Sequence, residues 1–201
     1  MHLTDIIAEV DAECRLRDVR MLGPEKAVRL VELIKETKPG LVVEVGTAIG
    51  YSGLWIASTL RELSHGRLIT FELDPDRAAE AGQNFKRAGL NHLITQHVGD
   101  ARQEIRGVVG PVDFLFLDGG FENYYPCLMN VREQLSPNAM LLADNAGIGA
   151  TEMADYLAYV RKNYDSHTEW FETELAWNPK DAMEISYVGS GKRPKSDQPV
   201  G

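Results

Sequence analysis

Glu44, Gly46 and Gly50 stand in the segment VVEVGTAIGYS (residues 42–52), where an apolar run passes through an acid into two glycines and then into a helical pattern. A strand that ends at Glu44-Val45-Gly46 must turn sharply, and glycine there permits positive φ and the close backbone approach of a nucleotide-like ligand. The dinucleotide fingerprint G-x-G-x-x-G would need glycine at position 48, which is Ala48, so the spacing here is E-x-G-x-x-x-G. Two further acids follow apolar runs. Glu72, in ITFELDP, is placed to accept both hydroxyls of a ribose, and Asp100, in VGDA, to accept a hydrogen bond from an adenine amino group. Either acid alone reads equally well as a solvated turn or cap residue; together they favour an adenosine site. A second set of oxygens comes from DFLFLDGG and LLADNAG, which end in Asp118 and in Asp144-Asn145. Two carboxylates and an amide carbonyl suit a hard cation such as Mg²⁺. The alternative for these three is a glycine turn at Asp118 and a helix-entry cap at Asp144-Asn145.

These residues recur at the ends of short apolar runs, which is where an open α/β sheet binds its ligands. Strands are expected near 41–45, 67–72, 92–98, 112–117 and 138–143, with helices near 52–63, 75–88, 123–135 and 150–163. Ala27, Leu30, Val31 and Ile34 repeat at helical spacing within an N-terminal helical segment (1–38) that Pro39-Gly40 ends. Asp74-Pro75 supplies an N-cap followed by proline at the first helical position. Tyr124, Leu128, Val131 and Leu135 share one helix face before Ser136-Pro137. The alternation implies a parallel sheet covered on both faces. Two runs without a helix between them, 168–176 and 182–188 joined by Asn178-Pro179-Lys180-Asp181, read as a closing antiparallel hairpin. Residues 1–189 are expected to form one domain. The last residues, 190–201, have almost no apolar side chains to offset ordering and are expected to be disordered.

The chain has 201 residues and a net charge of −9, which argues against broad phosphate-backbone binding. No stretch is long and apolar enough for a membrane span, Cys14 and Cys127 make no disulfide framework, and the first residues lack a signal-peptide pattern. A soluble cytoplasmic protein is expected. The histidines show no metal-ligand spacing, and His97 reads as a strand histidine.

Taken together, VVEVGTAIGYS, ITFELDP, VGDA, DFLFLDGG and LLADNAG resemble the cation-dependent O-methyltransferases related to catechol and caffeoyl-coenzyme A O-methyltransferase, from about Pro24 to Gly147. E-x-G-x-x-x-G is similar to motif I of S-adenosylmethionine (SAM) methyltransferases. The resemblance implies a Rossmann-like α/β fold with a seven-stranded, mostly parallel sheet whose last strand is antiparallel. It places Glu44, Gly46, Thr47, Gly50, Tyr51, Ser52, Glu72, Leu73, Asp100, Ala101 and Asp118 around SAM. Asp118, Asp144 and Asn145 are assigned to Mg²⁺ or another divalent cation, and Asp118 is the candidate catalytic residue. The implied reaction moves a methyl group to a hydroxyl of a small acceptor, aromatic or diol-like, and a homodimer is common in the family.

The chain departs from that pattern at two places. Phe121 occupies the position of the family's lysine three residues after the first metal aspartate, and Gly120 replaces a frequent acid. Lys26, Tyr124 and Tyr125 are nearby in motif terms, but such residues are more often solvated or packing groups. No tryptophan-containing segment follows Asp144-Asn145; Trp170, Phe171 and Trp177 come later and read first as packing, second as walls of an aromatic acceptor pocket. Three other readings stay open: methyl transfer to tRNA, a SAM-binding protein without transfer activity, and, last, a nicotinamide enzyme.

Overall fold

The computed structural model describes residues 2–189, so the tail expected at 190–201 lies outside the described residues. Helices α1 (Leu3–Arg17) and α2 (Pro24–Thr37) lead into β1 (Leu41–Val45), α3 (Tyr51–Leu63), β2 (Arg67–Glu72), α4 (Pro75–Arg87) and β3 (Ile94–Val98). A short α5 (Ala101–Glu104) precedes β4 (Val112–Leu117), α6 (Tyr124–Val131), β5 (Leu135–Ala143), α7 (Ala154–Asn163), β6 (Asp165–Glu172) and β7 (Lys180–Tyr187). All seven strands join one sheet in the order β3-β2-β1-β4-β5-β7-β6. Strands β1 to β5 pair in parallel, and β7 lies between β5 and β6, antiparallel to both. The direction of winding reverses between β1 and β4, the switch point at which such sheets open a crevice.

Strand alternation divides the core between the two faces. Val42, Phe114, Phe116 and Leu142 turn to one side, where they pack with residues of α1 to α4 such as Val10, Leu30, Leu54 and Phe85. Val43, Val45, Leu115 and Leu117 turn to the other, against Leu128 and Val131 of α6 and Tyr156 and Val160 of α7. Strands covered on both faces need apolar residues at most positions, which is why their sequences read as runs rather than alternation. Each fully buried Leu or Phe contributes about 1.5–3 kcal/mol by leaving water. Among the described residues no helix is long and apolar enough to cross a membrane.

Four boundaries differ from expectation. The helix expected over 123–135 ends at Val131, a 3₁₀ turn (Arg132–Gln134) follows, and Leu135 opens β5. Pro137 disfavours helical backbone at Ser136, so the chain is already extended there. A 3₁₀ turn at Asn91–Leu93 delays β3 to Ile94, and α7 begins at Ala154 rather than near 150. The hairpin strands begin three and two residues earlier than expected, so Lys180 and Asp181 belong to β7 instead of the turn. A buried partner for Asp181, described below, lets a charged residue occupy a strand between two others.

Candidate active site

A cleft of about 440 Å³ opens over the carboxyl ends of β1 to β4. Gly46, Thr47, Tyr51, Ser52, Glu72, Leu73, Asp100, Ala101 and Asp118 line it, together with Ala48, Arg77 and Arg102. The segment between α1 and α2 closes one side with Arg20, Met21 and Leu22, which no local sequence signal marked. Cys14 also borders the cleft; it is a buried free thiol, as is Cys127, and burial pushes both up to about 12.

Gly46 has φ 102, and a Cβ there would come within 2.2 Å of the Asp118 carbonyl oxygen. The glycine is therefore required first by the approach of the β1 and β4 ends, and only through that by any ligand. Gly50 (φ 97) is similarly fixed by packing, since a Cβ would stand 2.8 Å from the Phe85 ring. Glu44 lies behind the cleft and is fully buried. Its carboxyl accepts hydrogen bonds from Ser52 Oγ (2.6 Å) and Thr70 Oγ1 (2.5 Å), and burial, opposed by those bonds, raises its pKa to about 7.

The turn after β1 spends its own donors internally. Gly46 N–H and Thr47 N–H donate to the Phe71 carbonyl, Gly50 N–H donates to the Thr47 carbonyl, and Ala48 N–H donates to Glu72 Oε2 at 2.7 Å. These four bonds hold the turn against the end of β2 and fix Glu72 beside it. Glu72 Oε1 accepts from Asp74 N–H at 3.0 Å, so each carboxylate oxygen retains a lone pair for a ribose hydroxyl. Exposed Leu73 offers an apolar rim beside it. Asp100 takes up the cap role as well: it accepts Arg102 N–H (2.9 Å) and the Arg102 guanidinium (2.7 Å), which hold its carboxyl below the usual range.

Beyond Asp118 the cleft meets a second cluster. Asp118 N–H donates to the Val45 carbonyl and Asp144 N–H to the Leu117 carbonyl, extending the sheet ladder so that both acids emerge at neighbouring strand ends. Burial and then the Asp144 carboxylate push Asp118 well above the carboxylate range, with Lys26 opposing. No hydrogen-bond donor among the described residues holds the Asp118 carboxylate. Lys26, expected to be solvated or packing, is instead 1 % exposed and donates to Asp144 Oδ1 at 2.6 Å and to Asp181 Oδ2 at 2.8 Å. Its helical spacing with Leu30 and Leu33 on the buried face of α2 was the available signal.

Among the described residues no three His, Cys, Asp or Glu side chains gather as a metal group. The three-oxygen set is completed only by the amide of Asn145. Its chemistry nevertheless fits a hard divalent cation: Asp118, Asp144 and Asp181 would, when ionised, set three negative charges against the one positive charge of Lys26, a cation beside them would favour that ionised state, and Asp118 has no donor of its own.

Phe121 packs edge-on to Tyr124 (6.3 Å between ring centres) and against Gly149, so it closes the β4 loop and supplies no base. Tyr124 is fully buried, and burial with the nearby Asp118 and Asp144 charges keeps its phenol protonated. Tyr125 packs on Tyr159. Trp177 lies under the Arg20 guanidinium at 5.1 Å, and Phe171 joins the core, as packing residues do. Trp170 differs: it is 58 % exposed and its ring lies against Gly147, two residues after Asn145. His97 stacks on Phe71, consistent with a strand histidine.

The sheet order and the cleft at its switch point define a Rossmann-like protein of the methyltransferase class. A family model described as a methyltransferase domain matches residues 43–146. Catechol O-methyltransferase of Mus musculus is 30% identical over 205 residues, covering 94% of this chain and 74% of the relative. Catechol O-methyltransferase B of Danio rerio is 32% identical over 190 residues, covering 90% and 70%. The fold is shared with an O-methyltransferase from Bacillus cereus solved with S-adenosylhomocysteine (TM-score 0.82, 20% identity, 92% of this chain and 90% of that one). The chain belongs to this family of SAM-dependent O-methyltransferases.

Proposed function

We propose that the acceptor is a small aromatic molecule with vicinal hydroxyls, and that a divalent cation held by Asp118, Asp144 and Asn145 assists the transfer. One observation carries this reading: Asp118 lies on the wall of the nucleoside cleft and also beside Asp144, so the methyl-donor side and the oxygen-ligand side meet at one carboxylate. The names of the mouse and zebrafish relatives, both catechol O-methyltransferases, support the acceptor class.

SAM supplies the electrophilic sulfonium methyl group. Held by Asp118, Asp144 and Asn145, the cation would supply Lewis acidity that favours the ionised form of an acceptor hydroxyl. The chain's residues do the positioning. Glu72, fixed by Ala48 N–H and Asp74 N–H, offers its remaining lone pairs to the ribose; Leu73 and Ala101 border the base; the Gly46–Ser52 turn faces the methionine part. The packed Phe121 ring and the apolar face of Trp170 flank the loops that carry the oxygen ligands, where a flat acceptor would lie. Buried, unpaired Cys14 and Cys127 support a reducing, cytoplasmic setting.

The test is calorimetric titration of Mg²⁺ and Mn²⁺ into protein saturated with S-adenosylhomocysteine, comparing wild type with Asp144→Ala. Binding is expected in the wild type and a loss exceeding about 100-fold in the variant, more than outer residues of a metal site cost. Absence of binding in the wild type would make Asp144-Asn145 structural and remove the cation from the reaction.

A further inference from the structure

The cluster behind Asp144 is more elaborate than a counter-charge requires. Asp181, fully buried on β7, receives five donors. Its Oδ2 accepts Lys26 Nζ (2.8 Å), Asn145 Nδ2 (2.8 Å) and Asn178 Nδ2 (2.9 Å); its Oδ1 accepts the backbone N–H of Gly147 (3.2 Å) and Ile148 (3.0 Å). Ala146 N–H donates in addition to the carbonyl of the next β7 residue, Ala182. The loop after β5 is therefore tied along its length to one strand, with Asp181 as the tie.

Two consequences follow for Asn145. Its backbone has φ 59, a left-handed conformation that costs a non-glycine residue energy and needs outside support. The tied amides on either side, Asp144 N–H to the Leu117 carbonyl before it and Ala146 N–H to β7 and Gly147 N–H to Asp181 after it, supply that support. Its side-chain amide, moreover, has two different ends. A carboxylate only accepts, so Asp181 can face the NH₂ end alone, which leaves the carbonyl oxygen Oδ1 as the end free for a ligand. An asparagine or a water in place of Asp181 could face either end.

We propose that Asp181 is a positioning residue: it selects the orientation of the Asn145 amide and the shape of the 145–148 loop, so that Oδ1 is presented as a cation ligand, while Lys26 holds Asp181 and Asp144 together. The inference rests on the cation reading above. Charge and orientation are separable. Wild type carries Asp118, Asp144, Asp181 and Lys26, a formal net charge of −2 with all four ionised. The double variant Lys26→Met/Asp181→Asn keeps −2 while removing the group that discriminates the amide ends. It removes both members of the Lys26–Asp181 pair, while Asp144 loses its Lys26 partner too, which is why the fold check on the same samples is needed.

The experiment measures Mn²⁺ affinity by electron paramagnetic resonance, with S-adenosylhomocysteine affinity by calorimetry on the same samples as the check of fold. In Lys26→Met/Asp181→Asn, Mn²⁺ affinity is expected to fall about 10–100-fold, the usual loss when a group orienting a metal ligand is removed. S-adenosylhomocysteine affinity is expected to change less than about 3-fold, because the nucleoside cleft does not include Asp181. Lys26→Met alone, which retains Asp181 and its bond to Asn145, is expected to bind Mn²⁺ at least as well as the double variant. Wild-type Mn²⁺ affinity in the double variant would overturn the proposal and leave the cation reading intact, whereas no Mn²⁺ binding by the wild type would overturn both. Should the double variant lose S-adenosylhomocysteine as well, Asp181→Glu decides: it keeps the acceptor-only chemistry one methylene further out, and an affinity equal to wild type would contradict the need for exact placement.

Discussion

At Glu44 the chain carries an unneutralised acid inside the sheet, and the cost depends on pH. The charged groups that face it, Glu72 and Asp118, are of like sign, and two hydroxyl donors only partly offset its burial. A folded-state pKa of about 7 against an ordinary value of 4.5 means that the unfolded chain releases the proton first as pH rises. Stability therefore falls between about pH 4.5 and 7, by on the order of 3 kcal/mol from this group alone, and is unaffected by it at lower pH. Glu44→Gln is expected to flatten that fall; urea denaturation at pH 5 and pH 8 checks it, and an equal loss in both proteins would contradict the cause. The role of Glu44 was half legible in the sequence. Its place beside the glycines marked it as part of the motif, but that its partners are Ser52 and Thr70, on α3 and β2, depends on contacts that no local pattern records. Lys26 was misjudged for the same reason: a lysine normally snorkels, and only the distant acids Asp144 and Asp181 make its burial tolerable.

The helices and strands themselves were easier to read than their joints. Largely apolar runs at 41–45, 67–72 and 112–117 became β1, β2 and β4 with the same boundaries, because strands covered on both faces admit few polar residues, and buried ones such as Glu44 and Thr70 only with partners. Misplaced boundaries fell where a short turn or a buried ion pair overrode the pattern, as at Leu135 and Asp181. The joint between β1 and β4 carries the most specific expectation. Since a Cβ on Gly46 would press into the Asp118 carbonyl and its φ is positive, Gly46→Ala must push apart the two strand ends that form the cleft. A loss of about 3 kcal/mol or more is expected, together with loss of S-adenosylhomocysteine binding. Thermal unfolding with and without S-adenosylhomocysteine would measure both, and an unchanged variant would show that the loop can yield.

On the scale of the whole molecule, one sheet places a cleft over the ends of β1 to β4 and a buried acidic cluster beside it, with Asp118 common to both. The net charge of −9 and the acids at the strand ends disfavour an extended nucleic-acid acceptor and suit a small neutral or aromatic one. The β6-β7 hairpin does more than close the sheet, since β7 carries Asp181 to Lys26 behind Asp144 and β6 carries Trp170 to Gly147 in the loop that follows. The fold and the cleft lining at the strand ends were legible from motifs; the buried acidic cluster was not, because it is assembled from α2, the β5 loop and the hairpin, which are far apart in the chain. The most direct measurement is transfer of a labelled methyl group from SAM to a vicinal diphenol, with Mg²⁺ and with a chelator, while S-adenosylhomocysteine affinity is followed in parallel. Turnover that requires the cation, is lost on chelation and returns on Mg²⁺ addition, with cofactor affinity unchanged, is the expected result. Equal turnover in the chelator, or no methylation of a hydroxyl by protein that binds S-adenosylhomocysteine, would contradict the account.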